Sequence, residues 1–255
     1  MLSPAEIKRL QRLRDDEKFR RDEGVFLVEG DKAVREFTDS GRFAGALYAT
    51  PAWEGWKRHA SRADSAFLLH ETTDAEMARI SHLPSPSSVL AVLTRPTPAP
   101  LDPATLGHGF ALALDRVQDP GNVGTIIRLA DWYDFGPVLL GDGCADPFSQ
   151  KVVNASKGSL ARTVLHRVDL PALLAAAGVP VLGCDLEGES VHTFTPPRAA
   201  IVVIGSEGRG LSPAVRAGVT QRITIPSFGA AESLNAAVAA AIVCDNLRRT
   251  LSPRS

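Results

Sequence analysis

Three short stretches of this 255-residue chain combine residue types and spacings that could do chemistry. In the first, Asp119-Pro120-Gly121-Asn122-Val123-Gly124-Thr125-Ile126-Ile127-Arg128 follows an apolar run ending at Val117. The pattern predicts a helix from about Asn122, with Val123, Ile126, Ile127 and Ala130 on its buried face. Gly121, Gly124, Thr125 and Arg128 fall at i, i+3, i+4 and i+7, a second stripe of small residues closed by one arginine. Free amides at a helix start plus a guanidinium suit a phosphate or a ribose. The plainer reading makes Gly124 a close-packing glycine and Arg128 a surface charge.

The second stretch is Gly205-Ser206-Glu207-Gly208-Arg209-Gly210-Leu211-Ser212-Pro213, after the apolar run RAAIVVI. Three glycines in six residues predict a tight loop whose backbone can touch a ligand, and Ser212-Pro213 opens a helix. The order GxxGxG is not the dinucleotide fingerprint, no P-loop lysine follows, and Ser206 is not in a nucleophile elbow. A plain tight turn reads equally well. The third stretch, Ser227-Phe228-Gly229-Ala230-Ala231-Glu232-Ser233-Leu234-Asn235, leads into AAVAAAIVCDNLRR. A helix is predicted from about Glu232 to Arg249, its alanines packing closely in a core or at a subunit interface. Ser233 and Asn235 stand at an entrance that reads as buried, which is hard to explain as structure alone.

The elements that position these stretches are those of an α/β protein. LALAL, PVLL and AAIVVIG are near-continuous apolar runs alternating with helical segments, which predicts a parallel sheet covered by helices, with ligands at the strands' C-terminal ends. Pro96, Pro98, Pro100 and Pro103 mark an extended spacer over residues 95–109. It divides a small α/β domain, 1–94, from a larger one, 110–255. Ser3-Pro4-Ala5-Glu6 and Thr73-Asp74-Ala75-Glu76 are capping boxes, and GVFLVEG, AGALYAT, SAFLLH and SVLAVLT read as strands. The helix after Ser3 carries seven basic residues against four acidic ones between positions 6 and 21. That is a solvated face, or an arm that contacts phosphates through Arg9, Arg12 and Arg14.

The composition is that of an ordinary globular chain, 44% hydrophobic and 22% charged, with net charge -1. No global basic field points to nucleic acid, so any polyanion must be met by local clusters. Three separated cysteines exclude a disulfide scaffold and paired zinc ligands, and the six histidines form no ligand-spaced pair, so no metal is expected. There is no signal-like apolar segment and no run of about 18 apolar residues, so a cytoplasmic protein that does not enter membranes is expected.

Taken in order, DPGNVGTIIR, VIGSEGRGLS and IPSFGAAESLNAAVAAAI resemble the three motifs of the SpoU/TrmH family of RNA 2′-O-methyltransferases, in the SPOUT superfamily. FRRDEGVFLVEGDKAVREF resembles the substrate-binding domain that precedes the catalytic domain in many members. The resemblance implies an L30e-like first domain, a parallel-sheet catalytic domain tied into a deep trefoil knot, and a homodimer formed through the catalytic domains. It implies S-adenosyl-L-methionine as cofactor, held by backbone groups at Gly205, Ile225 and Leu234, with Ser206, Gly208 and Ser233 close by. The family's catalytic arginine falls on Arg128 and its motif-one asparagine on Asn122. The substrate implied is a ribose 2′-hydroxyl in structured RNA, rRNA of the 23S type in preference to tRNA.

A guanidinium stays protonated below pH ~12, so Arg128 is better suited to grip the target phosphate and ribose than to act as a base. Glu207 and Asn235 then orient the nucleotide and the loops. The chain departs from the family at Asn154, where an RAS-like element often has arginine; Lys157 supplies the charge, or a different RNA is read. Two alternatives compete with this reading: a family member that binds RNA without methylating it, and a nucleotide-dependent α/β enzyme. The intact motif residues weigh against the first, and the missing fingerprints against the second.

Overall fold

The computed structural model describes residues 1–57 and 66–249. The chain divides into two compact units, Met1–Thr97 with Asp146–Ala161, and Pro98–Ala145 with Arg162–Ser255. The segment 146–161, which lies between two strands of the second unit in sequence, belongs to the first.

In the first unit, Ser3 caps helix α1 (Pro4–Asp15) by accepting the Glu6 amide at 3.1 Å. Only half of that capping box forms. The Glu6 carboxylate turns to Arg9 and to the Tyr48 hydroxyl, which donates at 2.5 Å. The single basic helix expected here is two helices. Asp16 is extended, ends α1, and caps α2 (Glu17–Asp22) by accepting the Phe19 amide at 2.9 Å. Buried Arg20 explains the join: its guanidinium donates to the Leu13 and Arg14 carbonyls, two orphan acceptors of the last turn of α1, and pairs with Asp146. Arg9 pairs with Glu6 and Glu23, Arg12 with Asp16, and Arg14 with Asp15.

Strands β1 (Val25–Glu29), β2 (Gly45–Ala49), β3 (Phe67–Glu71) and β4 (Val89–Thr94) form a mixed sheet in the order β1-β4-β2-β3. Ser65, at the predicted start of the third strand, lies outside the described residues. Helix α3 (Asp31–Asp39) follows β1, and α4 (Asp74–Ile80) starts with both halves of its capping box in place. Ile7, Leu10 and Leu13 of α1 pack with Met77 and Ile80 of α4 over Leu27 and Leu90 of the sheet. A second cluster brings Phe26 against Phe37, Phe43 and Phe148, the last contributed by the returning segment that also forms α5 (Gln150–Ser156).

In the second unit the prolines at 96, 98 and 100 lie in irregular backbone on both sides of the unit boundary, whereas Pro103 opens a short 3-10 helix, Pro103–His108, capped by Asp102. Six strands follow: β5 (Phe110–Leu114), β6 (Val138–Leu140), β7 (Leu165–Arg167), β8 (Val181–Ser190), β9 (Ala200–Ile204) and β10 (Gln221–Thr224). Their order is β10-β8-β9-β5-β6-β7, and every pairing is parallel. Central β5 and β9 are buried throughout, as the continuous apolar runs require. Helices α6 (Pro120–Trp132), α7 (Leu170–Ala175), α8 (Pro213–Ala217) and α9 (Ala236–Arg248) complete the unit. Leu170, Leu174 and Val215 pack over Ala113, Ile201 and Val203 of the sheet.

β5 and β9 are the innermost neighbours, with Leu114 opposite Ile204. The chain leaves β5 toward β6 on one side and leaves β9 toward β10 on the other. Strand order therefore reverses between them, and the loops at their carboxyl ends part to leave a crevice, the place where open α/β sheets bind ligands.

Candidate functional site

The crevice is built from the loops after β5 and β9 and from the start of α9. Asp119 caps α6 by accepting the Asn122 amide at 2.8 Å, with Pro120 at the first helical position. This fixes Asn122 in the first turn, buried. Its Nδ2 donates to Glu207 Oε1 at 2.7 Å. The same oxygen accepts from Asn235 Nδ2 at 2.6 Å and from the Ala236 amide at 3.2 Å. Asn235 Nδ2 also reaches Asn122 Oδ1 at 2.9 Å. One carboxylate oxygen therefore joins the heads of all three stretches.

Asn235 has a second task. Its Oδ1 accepts the amides of Ala237 and Val238 at 3.0 and 3.2 Å and so caps α9. The helix consequently begins at Ala236 rather than near Glu232. The entrance that reads as buried in the sequence is exposed, Ser233 and Asn235 included. Residues 225–235 form irregular backbone; Ile225 is half-buried, while Leu234 is exposed.

The glycine loop is closed on itself. Ser206 and Gly210 exchange backbone hydrogen bonds of 3.2 and 2.9 Å, and Gly208 and Gly210 take positive φ of 74° and 61°. A side chain on Gly205 would stand 2.4 Å from the Gly210 carbonyl carbon, so only glycine fits. Behind the loop, buried Asp115 accepts the Ser212 amide at 2.5 Å, and Ser212 in turn caps α8. A cavity of about 330 Å³ opens between these loops, lined among others by Arg116, Asp119, Asn122, Ser206, Glu207 and Arg209.

Of the residues the sequence singles out, Asn122, Glu207 and Asn235 meet directly, and Gly205, Ser206 and Gly208 share their loop. Arg128 lies two turns along α6, exposed and without a hydrogen bond or ion pair among the described residues. Arg9, Arg12, Arg14 and Lys157 belong to the first unit. Lys157 is exposed and ends α5 in the left-handed conformation. Asn154 is tied within that unit: Gln150 donates to its Oδ1 at 3.1 Å, and its Nδ2 meets His82 Nε2 at 2.9 Å. His82 Nδ1 in turn lies 2.5 Å from the buried Glu29 carboxylate. Sequence reasoning overlooked Arg116 and Asp115. An acidic residue just past an apolar strand is a weak signal for the second, and nothing in residue type marks the first.

Burial pushes the thiols up, Cys184 to about 12, so the described cysteines offer no thiolate nucleophile at neutral pH. The crevice presents instead backbone amides, amide side chains and guanidiniums. There is open space where side chains would stand at Gly208, Gly210 and Gly229.

The SpoU rRNA methylase family matches residues 109–245, and an MRM3-like substrate-binding domain matches residues 5–91. The chain belongs to the SpoU rRNA methylase family. It is similar to the 23S rRNA (guanosine(2553)-2′-O)-methyltransferase RlmP of Bacillus subtilis, 30% identical over 228 residues, 88% of each chain. A TrmH-family structure from Porphyromonas gingivalis is 41% identical, with a TM-score of 0.85 over 98% of this chain and 99% of that one. An AdoMet-bound rRNA methyltransferase from Sinorhizobium meliloti is 27% identical, with a TM-score of 0.86 over 99% and 97%. In this SpoU-family chain the three stretches joined at Glu207 all lie inside the matched catalytic segment.

Proposed function

We propose that this protein transfers a methyl group from S-adenosylmethionine to a ribose 2′-hydroxyl in ribosomal RNA. The observation that carries the reading is the joining of Asn122, Glu207 and Asn235 at one carboxylate oxygen beside a polar cavity at the sheet's switch point. Family membership and the AdoMet-bound relative support the cofactor, and the RlmP likeness supports rRNA.

S-adenosylmethionine supplies, when bound, an activated methyl on a positively charged sulfur. The protein's part is to align the attacking oxygen and manage its proton. Backbone at Gly205, Ile225 and Leu234 holds the cofactor, with Ser206, Gly208 and Ser233 completing the walls. Glu207 and Asn235 fix the relative positions of the loops through the hydrogen bonds described, and Asn122 anchors them to α6. Arg128, with no acidic partner among the described residues, grips the target ribose and its phosphate and stabilises the oxygen as its proton leaves toward that phosphate. Only RNA carries the 2′-hydroxyl, so the chemistry selects RNA over DNA.

The first unit delivers the RNA, with Arg9, Arg12, Arg14 and Lys157 as phosphate contacts. The pair of Arg12 with Asp16 is exposed and exchanges readily for a phosphate oxygen, whereas Arg9 and Arg14 are half-buried and would first have to leave Glu6 and Glu23, and Asp15 and the Ser81 carbonyl. The deep trefoil knot belongs to the same proposal, as does a homodimer through the catalytic unit. Trp132 on α6 and Val238 on α9 are 78% and 48% exposed, apolar surface that a partner subunit would cover.

The test is tritiated methyl transfer from S-adenosylmethionine to ribosomal and transfer RNA from a strain lacking the gene, with wild type beside Arg128→Ala. Label in rRNA that vanishes with Arg128→Ala, while calorimetry still shows cofactor binding, is the expected result. No label and no cofactor binding would overturn the reading in favour of an RNA-binding module without catalysis.

A further inference from the structure

The loop that joins β5 to α6 contains an arginine in a conformation that ordinary side chains avoid. Arg116 has φ 55°. It is held there by its surroundings: its stem runs along Gly143, where a Cβ would come within 3.3 Å of Arg116 Cγ. Gly143 itself has φ 75°, so two consecutive strand ends bend into left-handed turns to seat one side chain. A glycine at 116 would adopt this backbone freely. Strain of this kind persists where the side chain has work to do.

The charges in the cavity show what that work is. Its lining holds two carboxylates and two guanidiniums, from Asp119, Glu207, Arg116 and Arg209. The carboxylates are committed: Asp119 caps α6, and Glu207 Oε1 accepts three donors. The guanidiniums are not. Arg116 approaches Asp115 only through Nε, at 3.5 Å, and that buried Nε has no hydrogen-bond partner. Asp115 is already engaged by the Ser212 amide. Neither Nη of Arg116, nor any nitrogen of Arg209, has a hydrogen bond among the described residues. Two cationic forks thus flank a cavity whose carboxylates, Asp119 through Oδ1 and Glu207 through Oε1, are held by neutral amide donors of the protein and not by the arginines. A guanidinium fork matches the paired oxygens of a phosphodiester.

We propose that Arg116 and Arg209 clamp a phosphodiester of the RNA strand entering the crevice. This rests on the proposed methyl transfer to RNA. The clamp is a phosphate subsite distinct from that of Arg128, which lies six residues beyond Asn122, about 9 Å along the axis of α6. Two fixed phosphates set the strand's direction across the cofactor loops and thereby select which ribose is presented. Arg116 and Arg209 are positioning residues in this scheme, and the reacting atoms do not touch them.

The test uses the full-length protein and total ribosomal RNA from a strain lacking the gene, with filter binding at graded salt. Arg116→Gly removes the guanidinium while keeping the left-handed turn, so it should melt no lower than wild type. Arg209→Ala removes the other fork, and Arg198→Ala, beside the opposite end of β9, is the control. The expected result is a loss of RNA affinity of about tenfold for each clamp variant at low salt. Each should also flatten the slope of log affinity against log salt by about 0.7, with Arg198→Ala unchanged. The KM for RNA rises while kcat stays near wild type, and calorimetric affinity for S-adenosylmethionine is kept. RNA affinity and slope equal to wild type in both variants would overturn the clamp. So would a loss matched by Arg198→Ala, or a loss confined to cofactor affinity, which would make the arginines a cofactor subsite. Wild type that fails to methylate, yet binds RNA in an Arg116-dependent way, would instead refute the methyl-transfer reading and leave the clamp standing.

Discussion

Replacing Gly205 with alanine puts the tightness of the glycine loop to a quantitative test. The new methyl would stand 2.4 Å from the Gly210 carbonyl carbon, 2.6 Å from its oxygen and 2.7 Å from the Leu211 amide nitrogen. Ordinary carbon contacts lie near ~3.5–4.0 Å, so one side must retreat by about 1 Å. Every clashing atom is main chain. That backbone is held by the two Ser206–Gly210 hydrogen bonds and, one residue on, by the Ser212 amide on buried Asp115. Relief requires opening the bridge, at roughly 0.5–1.5 kcal/mol per hydrogen bond, in addition to roughly 1–3 kcal/mol of overpacking. The loop can share the strain with solvent-exposed neighbours, so the expected total is about 2–3 kcal/mol. At roughly 2–4 °C per kcal/mol the melting temperature should fall by about 4–12 °C. Cofactor affinity by calorimetry should fall by at least tenfold, because the displaced backbone is the surface proposed to hold it. Gly208→Ala is the internal comparison. Nothing lies within 4 Å of its Cβ position, so it suffers only the left-handed φ of 74°, about 1 kcal/mol. If Gly205→Ala melts and binds cofactor no worse than Gly208→Ala, the loop is not closed as described and the steric argument fails.

The Glu207 junction predicts coupling between distant stretches. In a double-mutant cycle of Glu207→Ala with Asn235→Ala, urea denaturation should give an interaction energy of about 1 kcal/mol, and additive losses would show that the two act independently. Asn235→Ala alone should cost about 1 kcal/mol through the lost cap of α9, and Asn235→Asp should not restore it, because its second carboxylate oxygen would face Glu207 Oε1 and Asn122 Oδ1 where the amide now donates. Glu29 predicts an acid limb of stability in the first unit. Burial alone would push its carboxyl up, but hydrogen bonds from the His82 ring, the Ser81 hydroxyl and the His82 amide hold it below the usual range. The folded state therefore binds this proton less readily than the unfolded chain. Its contribution is present above the unfolded carboxyl range near ~4.3 and is lost as pH falls through the depressed value. Glu29→Gln should be less stable than wild type at pH 7, with a gap that narrows in urea melts taken below about pH 4. A gap independent of pH would mean that the charge of Glu29 does not contribute.

The parts of this molecule that were legible in the sequence are those whose cause is local. Thr73 and Glu76 close a capping box within four residues, and the runs LALAL and AAIVVIG are buried on both faces because nothing in them can face water. The three motifs were visible because glycine, proline and asparagine at fixed offsets constrain backbone directly. What escaped was set by partners far away in the chain. Glu232-Ser233-Leu234-Asn235 has no residue that forbids a helix, yet Asn235 is drawn out to Glu207, 28 residues upstream, and to Asn122, 113 residues upstream. The helix can start only after the residue that caps it. Asp16 breaks the basic N-terminal helix for a comparable reason, since Arg20 must fold back onto the carbonyls of Leu13 and Arg14 and reach Asp146.

Asn154 shows how the same logic alters a functional inference. By type and position it invites comparison with an RNA-facing arginine, and its neighbour Lys157 suggests a compensating charge. In the structure its side chain instead links His82 to Gln150 in a chain of polar contacts that starts at Glu29. An arginine at 154 would bring a cation next to an imidazole that already serves the buried carboxylate, and the neutral amide avoids that crowding. The substitution is thus explained by the interior of the first unit, and substrate choice must be sought where charges remain unspent, at Arg128 and in the pair Arg116 and Arg209.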